Sequence, residues 1–375
     1  MARAPAVQET EALPEADRLE GFPHPRETRA LLGQAAAETA LREAFVRGRM
    51  HHAWLLAGRQ GIGKATLAYR LARHVLARPE ERAADTLEVA PDTTAARQVL
   101  ALSHPGLLVL RRPYDTKAKR FAASIPVDEV RRLRSFFGLT GAENAWRVVI
   151  VDSADELNPN AANAVLKSLE EPPTRALFLL VASEPSRLLP TIRSRCRRLD
   201  LAPLDGPVLR QAAQAALSAA EMEPPADWAR LERLAEGSVR RALQLAASNG
   251  LELYERIEAV FARLPQVDWQ AAHALSDTFA FGAGEQRFDA FYDLFLDLVA
   301  RLVRVRATGK GAPAEVALAE RLITMERLPA WAGLWERSLA EKLDADELNL
   351  DRKALILRLF ANLEAVARGR ELTVA

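Results

Sequence analysis

Residues 147–174, RVVIVDSADELNPNAANAVLKSLEEPPT, constrain the fold more than any other stretch of this chain. Val148, Val149, Ile150 and Val151 form an unbroken β-branched run, which predicts a parallel strand buried on both faces. The run ends on Asp152, so a carboxylate falls at the carboxyl edge of the sheet, where open α/β folds keep their ligands. A helix with defined ends follows. Asn158 suits the N-cap and Pro159 the first helical position, because proline lacks an N–H that would go unpaired there anyway. Ala162, Val165, Leu166 and Leu169 share one face, and Pro172 with Pro173 stops the helix.

A second stretch supplies a partner for that edge. Residues 52–56 read as a short apolar strand, 58–66 as GRQGIGKAT, and the next residues as a helix with Leu67, Leu71 and Val75 on one face. Strand, glycine loop, lysine and helix is the order of a P-loop, and Gly58-x4-Gly63-Lys64 meets the first part of GxxxxGK[ST]. Gly58, Gly61 and Gly63 let backbone N–H groups approach phosphate oxygens, the helix N-terminus favours the anion, and Lys64 adds a point charge. The last position departs from the motif. Ala65 stands where a hydroxyl would coordinate Mg²⁺, and Thr66 comes one residue late, about 100° around the helix. A strand ending in Asp beside a phosphate loop is the Walker B arrangement, in which Asp152 would hold Mg²⁺. Hydrolysing P-loop proteins usually carry Glu after that Asp to polarise the attacking water. Here the residue is Ser153.

Length and composition set the frame around these motifs. The 375 residues suffice for two or three domains, and 49% hydrophobic with 27% charged residues is ordinary for a soluble globular chain. A net charge of +1 gives no global pull toward nucleic acid or membrane. The single Cys196 excludes a disulfide framework and a Cys-based zinc site, and fits a reducing cytosol. Glu9, Glu11, Glu15 and Asp17 sit where a signal peptide needs an apolar core, and no run reaches the length of a membrane span.

In chain order, 1–22 is Ala/Pro/Glu-rich and predicts a disordered leader. Residues 28–48 carry a helical pattern, 78–103 read as a polar, irregular insertion, and 106–110 as a strand. The cation-dense RRPYDTKAKRF at 111–121 precedes a stripe of Val127, Val130, Leu133, Phe136 and Phe137. Arg131, Arg132 and Arg134 face away from that stripe, as a solvated surface or as a contact to DNA phosphates. A strand at 176–182 closes on Ser183, LLPTIRSRC follows, and 197–201 is the last strand. Beyond Pro203 the pattern is helical throughout, with breaks near GSVRRAL at 237–243. In 285–306, Phe288, Phe291, Phe295, Leu298 and Leu302 recur at three- and four-residue steps, the spacing of a helical core.

Three stretches, HHAWLLAGRQGIGKAT, VVIVDSADELNPNAANAVLKSLEEPP and LLPTIRSRC, resemble the delta-prime family of bacterial DNA polymerase III clamp-loader subunits, which are AAA+ proteins. The resemblance covers nearly the whole chain after residue 20 or so. It implies α/β followed by all-α: a leader at 1–22, an AAA+ P-loop parallel-sheet domain at 23–202, a small helical lid at 203–250 and a C-terminal helical collar at 251–375. It puts Gly33 and Gln34 at the adenine contact, Ser183 at sensor 1, Arg240 of the lid at sensor 2, and Arg195 at the arginine finger that enters a neighbouring subunit's ATP site. A guanidinium suits that role because it is a rigid fork of donors that stays charged. The plainer alternative is that Arg195 pairs with a surface carboxylate.

The implied cofactor is ATP or ADP with Mg²⁺, bound weakly or not at all, since Ala65 and Ser153 each remove a catalytic part. Many relatives carry a four-Cys zinc module after the P-loop helix. Residues 78–103 have no Cys, so no zinc is expected, and His51, His52, His74 and His104 lack ligand spacing. The implied function is a non-hydrolysing or weakly hydrolysing stator in a cytoplasmic hetero-oligomeric ring. Its partners would be clamp-loader ATPase subunits, a delta-type subunit, the sliding clamp and, through the assembled complex, primed DNA, with no membrane. The alternatives are an active AAA+ ATPase, with Thr66 or water serving Mg²⁺ and Asp155 replacing the missing Glu, and a plain interaction scaffold.

Overall fold

The computed structural model describes residues 13–138, 145–279, 284–348 and 350–370. They fall into two compact units, one running to Leu243 and the other starting at Gln244. In the first unit the elements are α1 (Ala35–Val46), β1 (Ala53–Ala57), α2 (Lys64–Leu76), α3 (Thr94–Leu100), β2 (Leu107–Leu110), β3 (Tyr114–Asp115), β4 (Arg120–Phe121) and α4 (Val127–Gly138). They continue as β5 (Arg147–Asp152), α5 (Pro159–Glu170), β6 (Ala176–Ala182), α6 (Pro190–Arg193), β7 (Arg197–Asp200), α7 (Gly206–Ala219) and α8 (Trp228–Ala235). Helix α9 (Val239–Ala247) begins in this unit.

Five strands form one sheet in the order β2-β5-β6-β1-β7. Every pair is parallel. The unbroken apolar runs explain the layering: every residue of β1 and β6, and Val148 to Asp152 of β5, is buried. Fully burying a side chain of Val or Leu size contributes roughly 1.5–3 kcal/mol, so these central strands anchor the unit. Register then places the motifs. Asp152 is level with Val181, and Val181 with Leu56. The residues that follow β1, β5 and β6 therefore leave the sheet along one edge. Helix α5 starts as its sequence requires, with Asn158 Oδ1 accepting from Ala161 N at 2.8 Å. Its Ala162, Val165 and Leu169 are buried under the sheet.

Three local expectations need correction. The helical pattern from residue 28 becomes a helix only at Ala35, because Gly33 takes a left-handed φ of 72° that breaks the run. The 78–103 segment is not irregular throughout. Thr93 caps α3, and Leu87, Ala95, Ala96 and Val99 are buried, apolar residues hidden in sequence by their polar neighbours. The leader expected over 1–22 is ordered where described. Residues 1–12 lie outside the described residues, but Phe22 is buried and the Asp17 side chain is only 4% exposed. Composition could not show that the acids of this segment have cationic partners far along the chain. The cation-dense 111–121 segment is the β3–β4 hairpin, its turn held by Asp115 Oδ1 accepting from the N–H groups of Lys117 and Ala118.

The second unit is helical: α10 (Gly250–Arg263), α11 (Trp269–Asp277), α12 (Gly284–Thr308), α13 (Pro313–Leu322), α14 (Leu328–Leu348) and α15 (Arg352–Ala367). The Phe stripe of α12 is its core. Phe291 meets Phe360 edge-on at 5.9 Å, and Phe261 packs against both Phe295 and Trp331. Buried Arg301 donates to the Tyr254 hydroxyl at 2.7 Å. Among the described residues no helix is long and apolar enough to cross a membrane.

Candidate nucleotide cradle and an exposed arginine

The common edge of β1, β5 and β6 gathers Lys64, Asp152 and Ser183. Lys64 opens α2 and is almost wholly buried. Its ammonium donates to the carbonyls of Gly58 (2.6 Å) and Arg59 (2.5 Å) and to Ser183 Oγ (3.1 Å). Burial pulls the Lys64 pKa down to about 8, partly opposed by the charges of Asp152 and Asp155. Asp152 moves the other way. Burial, with the negative charge of Asp17 added, pushes it up to about 7. Ser153 Oγ donates to Asp152 Oδ1 at 3.2 Å, so the residue after the strand supplies a hydrogen bond where hydrolysis calls for a base. Asp155 does not fill that gap. Its Oδ2 accepts from the backbone N–H groups of Ser183 (3.0 Å) and Glu184 (2.7 Å), which fixes the chain as it leaves β6.

The glycine loop is joined to the start of α9. Val239 N and Arg240 N donate to Gly61 O at 2.9 and 3.4 Å, and Ser238 Oγ donates to Gln60 O at 2.8 Å. Gly61 has a φ of 78°, and a Cβ there would be driven into Ser238 Oγ and the Arg240 side chain. Gly58 is equally constrained: a Cβ would lie 2.6 Å from Leu201 O. Gln34, expected at the adenine contact, is buried and donates to Ile62 O (3.0 Å) and Ala202 O (2.7 Å), tying the loop to the exit of β7. Gly33 beside it packs against Leu204 and Val208. Arg240 donates to the main-chain oxygen of Asp17 at 3.4 Å.

These residues surround a cavity of about 450 Å³, lined among others by Leu31, Ile62, Lys64, Leu204, Ala216 and Arg240. That size is within the range of small-ligand pockets, about 300–1,000 Å³. Its chemistry fits part of a nucleotide. Its lining combines apolar side chains such as Leu31, Ile62 and Leu204, which suit a base, with the glycine loop and the cations Lys64, Arg112 and Arg240, which suit phosphate. The fit to Mg²⁺ is poorer. Ala65 offers no oxygen at the motif's hydroxyl position, and Thr66 lines the cavity one residue later. The sequence reading missed Glu15, Asp17 and Arg111, which form a partly buried ionic cluster beside this cavity. A run of acids before a P-loop strand is the only trace of it in the sequence.

Arg195 lies apart from the cavity and is not among its lining residues. It follows α6 on the turn into β7. Its Nη2 is 2.8 Å from Glu170 Oε1 and its Nη1 donates to Thr191 O at 3.0 Å. The side chain is nevertheless 36% exposed. Its basic neighbours are engaged separately: Arg197 stacks over Trp54, and Arg198 pairs with Asp200.

Residues 33–205 match the family described as DNA polymerase III, delta subunit. The chain is 40% identical over 151 residues to the delta-prime subunit of Pseudomonas aeruginosa DNA polymerase III, covering 40% of this chain and 43% of that one. It is 32% identical over 231 residues to the delta-prime subunit of Escherichia coli, covering 60% and 64% respectively. Against the tau subunit of E. coli it is 27% identical over 321 residues, covering 85% of this chain and 46% of tau. The chain thus spans less than two thirds of the length of each of these relatives.

Proposed function

The chain resembles the delta-prime subunits of DNA polymerase III, and from that premise we propose that it is a clamp-loader stator. In this proposal it hydrolyses ATP weakly or not at all, sits in a hetero-oligomeric AAA+ ring in the cytoplasm, and offers Arg195 to the ATP site of an adjacent gamma- or tau-type subunit. With a delta-type subunit, the ring would open the sliding clamp and place it on primed DNA. The helices α10 to α15 would form the collar, joined head to tail with their neighbours as a ring requires.

One observation carries the reading: the exposed Arg195 is outside the chain's own cradle, while that cradle lacks a hydroxyl at Ala65 and a base at Ser153. Arg195 in trans would stabilise charge on the transferring phosphoryl group, an effect worth ~10³–10⁵ in rate where fingers act between chains. In the chain's own cradle, Lys64, the loop N–H groups and Asp152 would hold a nucleotide, and Mg²⁺ would supply charge neutralisation when bound. The placement of Asp155 speaks against the competing reading of an active ATPase, because its Oδ2 is committed to the N–H groups of Ser183 and Glu184.

Steady-state ATP turnover separates the cases. The purified chain should turn over at background with or without primed DNA, and Lys64→Ala should not change that. Clear turnover abolished by Lys64→Ala would make the chain a motor instead. In the assembled loader, Arg195→Ala should lower turnover at the site it serves by roughly 10³-fold while leaving assembly intact. Unchanged turnover would remove the finger from the proposal.

A further inference from the structure

The ordered part of the leader reaches into the cradle. The Asp17 carboxylate lies 2.9 Å from His24 Nε2 and 2.8 Å from Arg111 Nη1. Glu15 Oε1 lies 2.8 Å from Arg26 and 2.6 Å from Arg111, and Arg18 closes the loop by pairing with Glu27. Arg111 directly follows β2, whose Leu110 is level with Val151, so this cluster stands beside Asp152 at the edge of the sheet. Asp17 also lines the same cavity as Lys64, Asp152 and Arg240. Its main-chain oxygen takes a donor of Arg240. A polyphosphate tail would need that donor and that space, and it would have to approach a second carboxylate beside Asp152. The same cavity also has an apolar lining that includes Leu31, Leu204 and Ala216.

We propose that residues 15–18 act as a specificity arm: they engage Arg240 and fill the terminal-phosphate end of the cradle, so that it discriminates against the polyphosphate tail while admitting base and sugar. This rests on the cradle being a nucleotide site, and is independent of whether Arg195 acts in trans. Glu15 and Asp17 are determinants of ligand choice here, held in place by Arg26, Arg111 and His24.

The test is equilibrium binding of adenosine, MgADP and MgATP to the full chain and to its Glu15→Gln/Asp17→Asn double variant. The variant should bind MgATP roughly tenfold more tightly, the carboxylate charge beside Asp152 having been removed, and adenosine within about twofold of the parent. A MgATP-to-adenosine affinity ratio equal in the two chains, or lowered in the variant, overturns the arm but leaves the cradle standing. Failure of either chain to bind any of the three ligands removes the cradle as well. Hydrogen exchange on the unaltered chain gives a second readout that needs no variant. Saturating MgATP should speed exchange of the amides at 15–18 as the arm is displaced, and slower or unchanged exchange there also overturns it.

Discussion

The cradle and the Arg195 turn carry the same kind of group, a cation suited to phosphate, in opposite circumstances. Lys64 is 4% exposed, and its three hydrogen bonds all return to its own chain. Arg195 is 36% exposed and held at two points, which leaves guanidinium donors over. The buried Lys64 ammonium is already engaged by Gly58, Arg59 and Ser183, and a ligand must compete with those bonds to use it. An exposed, pre-oriented guanidinium loses little by meeting a second chain. On the role proposed above, the chain would keep the outline of a nucleotide site while its usable chemistry faces outward.

The sharpest way to break that contrast is at Gly61. Its left-handed φ and the closeness of Ser238 and Arg240 mean that Gly61→Ala adds both backbone strain and a clash at the seam between the loop and α9. Urea unfolding should show a loss of roughly 2–3 kcal/mol. Arg195→Ala, which opens no seam, should fall within about 0.5 kcal/mol of the parent on the same measurement. Equal losses would mean that the cradle is no more tightly closed than the arginine turn.

The next effect depends on pH and concerns α2, the helix that opens with Lys64. Burial, with the charges of Arg82 and Arg42 added, pulls the His74 pKa down from its ordinary 6.5 to about 4. The unfolded chain therefore binds more protons than the folded one between these values. Stability from neutral His74 is complete above pH 6.5 and lost as pH falls toward 4. Asp152 acts in the opposite sense: its pKa is raised to about 7, so ionising it costs stability as pH rises from the unfolded value near 3.8. Replacing His74 by Leu isolates the first contribution. The parent's loss on going from pH 7 to pH 5 should exceed that of His74→Leu by roughly 2 kcal/mol. Identical pH profiles for the two chains would show that His74 protonates in the fold at its ordinary value.

The sequence made the sheet legible because its strands are nearly pure runs of apolar residues, and made α5 legible because Asn158 and Pro159 are local signals. The P-loop and the strand-end Asp152 could be placed on one edge by topology alone. The ordered leader could not. Glu15 and Asp17 are stabilised by Arg26 and Arg111, one of them more than ninety residues away, and no local pattern reports such pairing. The seam between Gly61 and α9 is likewise a long-range hydrogen bond. Gln34 was legible as a site residue, but not as a tie between two carbonyls, one of them at Ala202. Helix α3 stayed hidden because its apolar face is one turn long and flanked by charge.

The smallest effect on stability should come from Glu170→Gln. Glu170 ends α5, is 43% exposed, and meets Arg195 across a gap of 2.8 Å. Surface pairs of this kind contribute about 0–1 kcal/mol, so unfolding should change by less than about 0.5 kcal/mol. Its effect on the assembled loader should be larger in proportion. Thr191 O holds one terminal nitrogen of Arg195, and Glu170 fixes the other. Without the carboxylate charge the guanidinium samples more orientations before it meets a phosphate, at an entropic cost in the transition state. ATP turnover in the assembled complex should then fall several-fold, far less than with Arg195→Ala, with KM for ATP unchanged because the neighbour's own residues bind the substrate. A raised turnover would point the other way: Glu170 would be a competitor that holds Arg195 back, and the exposed turn, like the cradle, would be self-engaged until a partner displaces the bond.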